Sequence, residues 1–173
     1  MTQPGNEFTR LCAQYLRDTY LTRLRAALNA LPDEDLFWSP HPRCLSFGNI
    51  LLHLEGNIRQ WILSGLGGAP DHRERQSEFT ARSGPSGGEL FSALERTVLA
   101  AASLLESLAP DRLTVSCCIQ GHDTTVHAAI LHVVEHMSWH TGQAVWIAKA
   151  RGGEDHGLAF HDDAKLEKAR NRG

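Results

Sequence analysis

No run of apolar residues in this 173-residue chain approaches the roughly 20 needed to cross a bilayer, so no membrane span is expected. A basic excess is missing too. Seventeen Lys and Arg against 20 Asp and Glu give a net charge of −3 and a pI near 6.3, which leaves no footprint for nucleic acid. Cysteine is sparse: Cys12, Cys44, Cys117 and Cys118, with no C-x-x-C. That excludes paired-cysteine metal knuckles and argues against a disulfide framework, and all four are read as thiols. A bridge between the adjacent Cys117 and Cys118 would be strained. There is no Ser/His/Asp set, no glycine-rich phosphate loop, no internal repeat and no low-complexity tract. The opening MTQPGNEFTR lacks the charged-then-apolar profile of a signal peptide, so the expected compartment is the cytoplasm.

Helical periodicity is what the chain has instead. Phe8, Leu11, Tyr15, Leu16, Leu24, Leu28 and Leu31 recur near every 3.6 residues and predict a first helix over residues 8–31, stopped by Pro32. A tryptophan-proline loop, Trp38-Ser39-Pro40-His41-Pro42, precedes a second helix capped by Ser46 and striped by Phe47, Ile50, Leu51, Leu54, Ile58, Trp61 and Ile62. Residues 69–88 form a long polar connection in which 71–75 read as charged and solvated. Ser86 and Glu89 fit a capping box that opens a third helix, and Pro110 lies past its end. Residues 113–119 suggest a short extended segment, Gly121 a turn, and Thr124 or Thr125 the cap of a fourth helix reaching about residue 150. In the tail, Leu158 and Phe160 are expected to pack back on the body, and residues 165–173 to fray. The fold class expected is all-α: a four-helix bundle with a long helix 2 to helix 3 connection and a short extended segment before helix 4, one domain over 1–173.

His132, His136 and His140 recur every fourth residue in the fourth helix, within LHVVEHMSWHTGQ. Ten histidines placed at random would give about half an H-x-x-x-H pair, so a pair alone carries little. Direction carries more. At about 100° per residue, Val126, Ile130, Val133, Met137, Ala144 and Ala148 set the buried direction. His140 falls about 40° from its centre, His136 about 80° and His132 about 120°, so the first two point into or beside the core and His132 outward. Buried imidazoles need partners, and a metal ion is one way to supply them. His53 sits mid-helix on the flank of the second apolar stripe, with Asn57 one turn on; spacing alone does not select it. His122, His127, His156 and His161 read as surface or tail residues.

NILLHLEGN, followed some eighty residues later by HVVEHMSWHTGQ, resembles the DinB-like or YfiT-like superfamily of four-helix bundles. The likeness runs from the first helix through the fourth and includes the tryptophan-proline loop. It implies a divalent metal, zinc or nickel, held by His53, His136 and His140, whereas His132 matches no ligand. It also implies a metal-dependent enzyme, most readily a thiol S-transferase that uses a low-molecular-weight thiol cosubstrate and a small-molecule substrate, and a homodimer. A metal-dependent hydrolase and a non-enzymatic bundle with a structural metal or a stress-linked binding role are the alternatives. Three neutral imidazoles leave an ion's charge uncompensated and a position open, the pattern of a catalytic site. Gln143 and Asn57 are candidates for orienting ligands or touching substrate, and Trp61 and Trp139 for lining a pocket. Glu55 and Glu135 are the nearest carboxylates in sequence, and neither makes a convincing general base.

Overall fold

The computed structural model describes residues 4–152 and Leu158. Phe160, His156, His161, Gly153 and the segment 165–173 lie outside the described residues. The first rod starts earlier than the periodicity predicts. It comprises α1 (Pro4–Gln14), a π-helical turn (Tyr15–Tyr20) and α2 (Leu21–Ala30). A π turn adds a residue to the helical cycle and so rotates the face presented by the next helix. Cys12 and Ala13 are buried before it, Leu16 within it and Leu21, Leu24 and Ala27 after it, while Leu11 and Tyr15, expected in the stripe, are exposed.

Ser46 caps α3 (Phe47–Ile58) with a reciprocal bond to Asn49, and a second π turn (Arg59–Ser64) carries Trp61 and Ile62 inward. The polar connection is not wholly irregular. It holds α4 (Arg75–Thr80), clamped to α3 by Asn49 Nδ2, which donates to the carbonyls of Glu78 (2.8 Å) and Ala81 (2.9 Å). The capping box of Ser86 and Glu89 opens α5 (Gly87–Ser107) as predicted. The extended segment has a partner that sequence pattern does not supply. β1 (Ser116–Ile119) pairs antiparallel with β2 (His122–Thr125) through a two-residue turn at Gln120 and Gly121, both at positive φ. Thr125 then caps α6 (Val126–Arg151).

α3 packs against α5 and α6, and the first rod packs against the same two helices, so α3 and the first rod stand at opposite corners of a four-rod bundle. Phe47, Ile50, Leu54, Phe91, Leu94 and Ile130 are fully buried between them, each worth about 1.5–3 kcal/mol of transfer free energy. One end is pinned by Arg151, whose guanidinium donates twice at 2.9 Å to the buried Asp35 and covers the Trp38 ring. Leu158 is buried on the body, as expected. All four cysteines are thiols, and no helix of the described residues is long and apolar enough to cross a membrane.

Candidate metal centre

Packing of α3 on α6 brings together three imidazoles, although His53 and His136 are 83 residues apart in the chain. His53 is buried in the middle of α3, while His136 and His140 stand one turn apart on α6 and are half-buried. His53 Nε2 lies 3.0 Å from His136 Nε2, and the His53 and His140 ring centroids are 5.0 Å apart. One ligand atom from each residue falls within 4.8 Å of the others. Bonds of ~2.0–2.1 Å to a tetrahedral ion would set nitrogens about 3.4 Å apart, which small ring rotations reach. Among the described residues no fourth His, Cys, Asp or Glu joins the group.

The partners behind the rings fix their tautomers. His53 Nδ1–H donates to Glu78 Oε2 at 2.8 Å, leaving the Nε2 lone pair aimed at the cluster. His140 Nδ1–H donates to Gln143 Oε1 at 2.8 Å, with the same result. His136 Nδ1 is buried with no partner, and so is Asn57 Oδ1. Glu78 is held in turn by Arg73, which reaches Oε1 through Nε (2.7 Å) and Oε2 through Nη2 (2.8 Å) and gives Nη1 to Gln60. Burial alone would raise the Glu78 pKa, but the hydrogen bonds from Arg73 and His53 outweigh it and hold the carboxyl below its ordinary value. Gly56 makes room for this ion pair. A Cβ there would stand 2.9 Å from Arg73 Nε and 3.1 Å from Glu78 Cδ.

Burial, with the neighbouring His140, His53 and His132 rings next, pushes His136 down to about 3. Burial and then His53, against the opposing bond to Gln143, push His140 down to about 4. Neither ring is an imidazolium at neutral pH, so each keeps one nitrogen lone pair available. Below pH 6.5 the unfolded chain takes up protons at these two positions that the folded chain refuses. Stability therefore falls with falling pH until the folded values near 4 and 3 are passed. Chelator-treated protein is expected to show a lower urea midpoint at pH 5.0 than at pH 7.5, and His136→Leu to flatten that dependence. A midpoint independent of pH across this window would contradict the burial of neutral imidazoles.

A cavity of about 360 Å³ opens beside the cluster, lined by His53, Asn57, Trp61, His132 and His136 among others. His132 does not point outward as predicted. It is half-buried, with its ring 4.2 Å from that of Trp61, because the π turn ending α3 swings the indole under α6. Trp139, expected in the pocket wall, is 67% exposed and does not line this cavity; it lies one residue, and so about 100°, from His140. Trp61 does line it, with Nε1 buried and unpartnered.

A family described as protein of unknown function, DUF1572, matches residues 5–158. The chain belongs to this family. Among solved structures, the DUF1572 chain is similar to a DinB-like protein from Bacillus cereus ATCC 10987. That match has 18% identity and a TM-score of 0.61, and it covers 77% of this chain and 86% of that one. It shows a shared helical fold, and the DinB-like resemblance and the mostly α bundle expected from the sequence are borne out. No curated protein sequence matches the chain significantly.

Sequence pattern alone misses Glu78 and Arg73. Composition makes residues 71–75 a solvated stretch, yet the Arg73 side chain is 3% exposed and Glu78 is buried. One signal was available: an isolated glycine, Gly56, inside the helical pattern three residues after His53, which marks the close approach of another group.

Proposed function

We propose that this protein is a metal-dependent enzyme in which His53, His136 and His140 hold one divalent ion, zinc or nickel, and that it transfers a low-molecular-weight thiol to a small electrophile. The observation that carries the reading is a three-histidine group with no fourth protein ligand among the described residues, at the edge of a cavity. The donor set fits such an ion: neutral imidazoles, two of them oriented by an acceptor behind the ring. A divalent ion bound there would lower the pKa of a thiol or water placed beside it. Glu78 orients His53 and Gln143 orients His140. His136 Nδ1 and Asn57 Oδ1 are both buried without a partner, so among the described residues only His53 and His140 have an acceptor behind the ring. Trp61 and His132 wall the space in which the thiol and electrophile meet.

The test compares metal-loaded, chelator-stripped and His136→Ala protein in the reaction of small thiols with a chromogenic electrophile at pH 7. A free thiol is only a few per cent ionised there, so full ionisation raises the nucleophile concentration about 30-fold. Loaded protein is expected to show a metal-dependent rate gain of at least that order, absent from the other two. No gain with any thiol in a broad panel would sink the transferase reading. Metal-dependent ester cleavage without thiol would replace it with a hydrolase.

A further inference from the structure

We propose that the substrate of this cavity carries a carboxylate, held by the Arg75 guanidinium and the Trp61 indole N–H on the side away from His140. The inference rests on the metal-centre reading for the occupant of the other end of the cavity.

Charge is the first argument. The cavity wall includes the two guanidinium groups of Arg73 and Arg75 and contains no aspartate or glutamate. Arg73 is already committed, since Glu78 takes two of its donors and Gln60 a third. Arg75 is not. Its guanidinium lies 4.6 Å over the Phe79 ring, and it has no carboxylate partner among the described residues. Phe79 in turn stands 4.8 Å from the His53 ring, so one aromatic ring separates the unpaired cation from the histidine cluster. A divalent ion held by neutral imidazoles adds to the same excess of positive charge. A cationic ligand would be repelled, a neutral one would leave the charge uncompensated, and an anion offsets it.

Hydrogen-bonding type is the second argument, independent of charge. Trp61 is 8% exposed and lines the cavity, and its Nε1 has no partner. An indole nitrogen only donates, so whatever satisfies it must bring an acceptor. A buried donor left unpaired costs about 1–3 kcal/mol, which gives an acceptor-bearing ligand an advantage over an apolar one. A carboxylate offers two oxygens in a plane, one side for a guanidinium and the remaining lone pairs for the indole. The rim is braced for this. Gln120, at the tip of the hairpin, donates to Gln60, the residue that also receives Arg73, so the β1–β2 turn is tied to the π turn that carries Trp61. At about 360 Å³ the space is near the lower end of small-molecule pockets and suits a small acid.

Calorimetric titration tests this with 3-mercaptopropionate and its methyl ester, on metal-loaded and on chelator-stripped protein, for wild type, Arg75→Gln and Trp61→Phe. Loaded wild type is expected to bind the acid about tenfold more tightly than the ester, the worth of one charge-assisted contact at a partly open site. Arg75→Gln should remove that preference while leaving ester affinity and metal stoichiometry unchanged. Trp61→Phe should reduce it severalfold. The preference should persist in stripped wild type at lower absolute affinity, because it does not need the ion. A protein that takes up no metal yet keeps an Arg75-dependent preference for the acid would refute the metal reading and uphold this one. Equal affinity for acid and ester in wild type, or a preference unchanged in Arg75→Gln, overturns the inference. Inorganic phosphate competing as strongly as the acid overturns the carboxylate assignment.

Discussion

His53→Ala is expected to lose divalent-metal affinity on the order of a thousandfold while keeping its helical content. Structural zinc sites in small peptides supply ~10–16 kcal/mol, and one ligand of three carries about a third of that. The fold should tolerate the change. Loss of the imidazole leaves Glu78 still paired with Arg73 through two hydrogen bonds, so no buried charge is stranded. The surrounding stripe of Ile50, Leu54 and Ile58 is untouched. His132→Ala is the control, because His132 lines the same cavity and packs against Trp61 but stands outside the three-residue group. Equilibrium dialysis with elemental analysis, read beside circular dichroism, separates the two variants. Full metal occupancy in His53→Ala, or loss in His132→Ala with retention in His53→Ala, would show the ligand set to be wrong.

Local rules suffice for α6, where one continuous helix keeps its phase for 26 residues. Val126, Ile130, Val133, Met137, Ala144 and Ala148 are all buried, and His136 and His140, whose angles placed them in or beside the core, are half-buried. The same rule fails in the first rod, where the π turn at Tyr15–Tyr20 shifts the phase, so no single stripe joins Leu16 to Leu21, and Leu11 and Tyr15 lie off the buried face of Cys12, Ala13 and Leu16. It fails for His132 because the environment of that ring is set by Trp61, on another helix and past a second π turn. The Ser46 cap and the Ser86–Glu89 capping box are legible because each lies within four residues of its own backbone. β2 reads His122-Asp123-Thr124-Thr125, with no apolar alternation, and exists through its pairing with β1. α4 likewise depends on the Asn49 clamp rather than on its own six residues. The candidate ligands are therefore accessible from helix direction and family likeness. The carboxylate that orients His53 is not, since it lies 25 residues away in a stretch whose composition matches solvated loop.

That carboxylate makes the sharpest separation between fold and site. Glu78→Ala strands the Arg73 guanidinium, whose side chain is 3% exposed, without its counter-charge. Breaking one side of a buried pair costs about 3–5 kcal/mol, so the melting temperature is expected to fall by roughly 10 °C. The same change removes the acceptor of His53 Nδ1–H, frees the ring to rotate or change tautomer, and should weaken metal binding about 10- to 100-fold. The two losses have different owners and can be told apart. Removing Arg73 as well, in the Glu78→Ala/Arg73→Ala double variant, takes away the stranded charge. Stability should then recover in part, while metal affinity stays low because His53 still lacks its acceptor. Glu78→Gln should sit between these, since an amide oxygen can still accept from His53 but the ion pair is gone. Should the double variant regain metal affinity together with stability, Glu78 acts only by settling Arg73, and the orientation of His53 has another source. If stability stays low while affinity is lost, the segment from Arg73 to Glu78 is needed to build that side of the site, and Gly56, which gives the pair its room, becomes the next position to change.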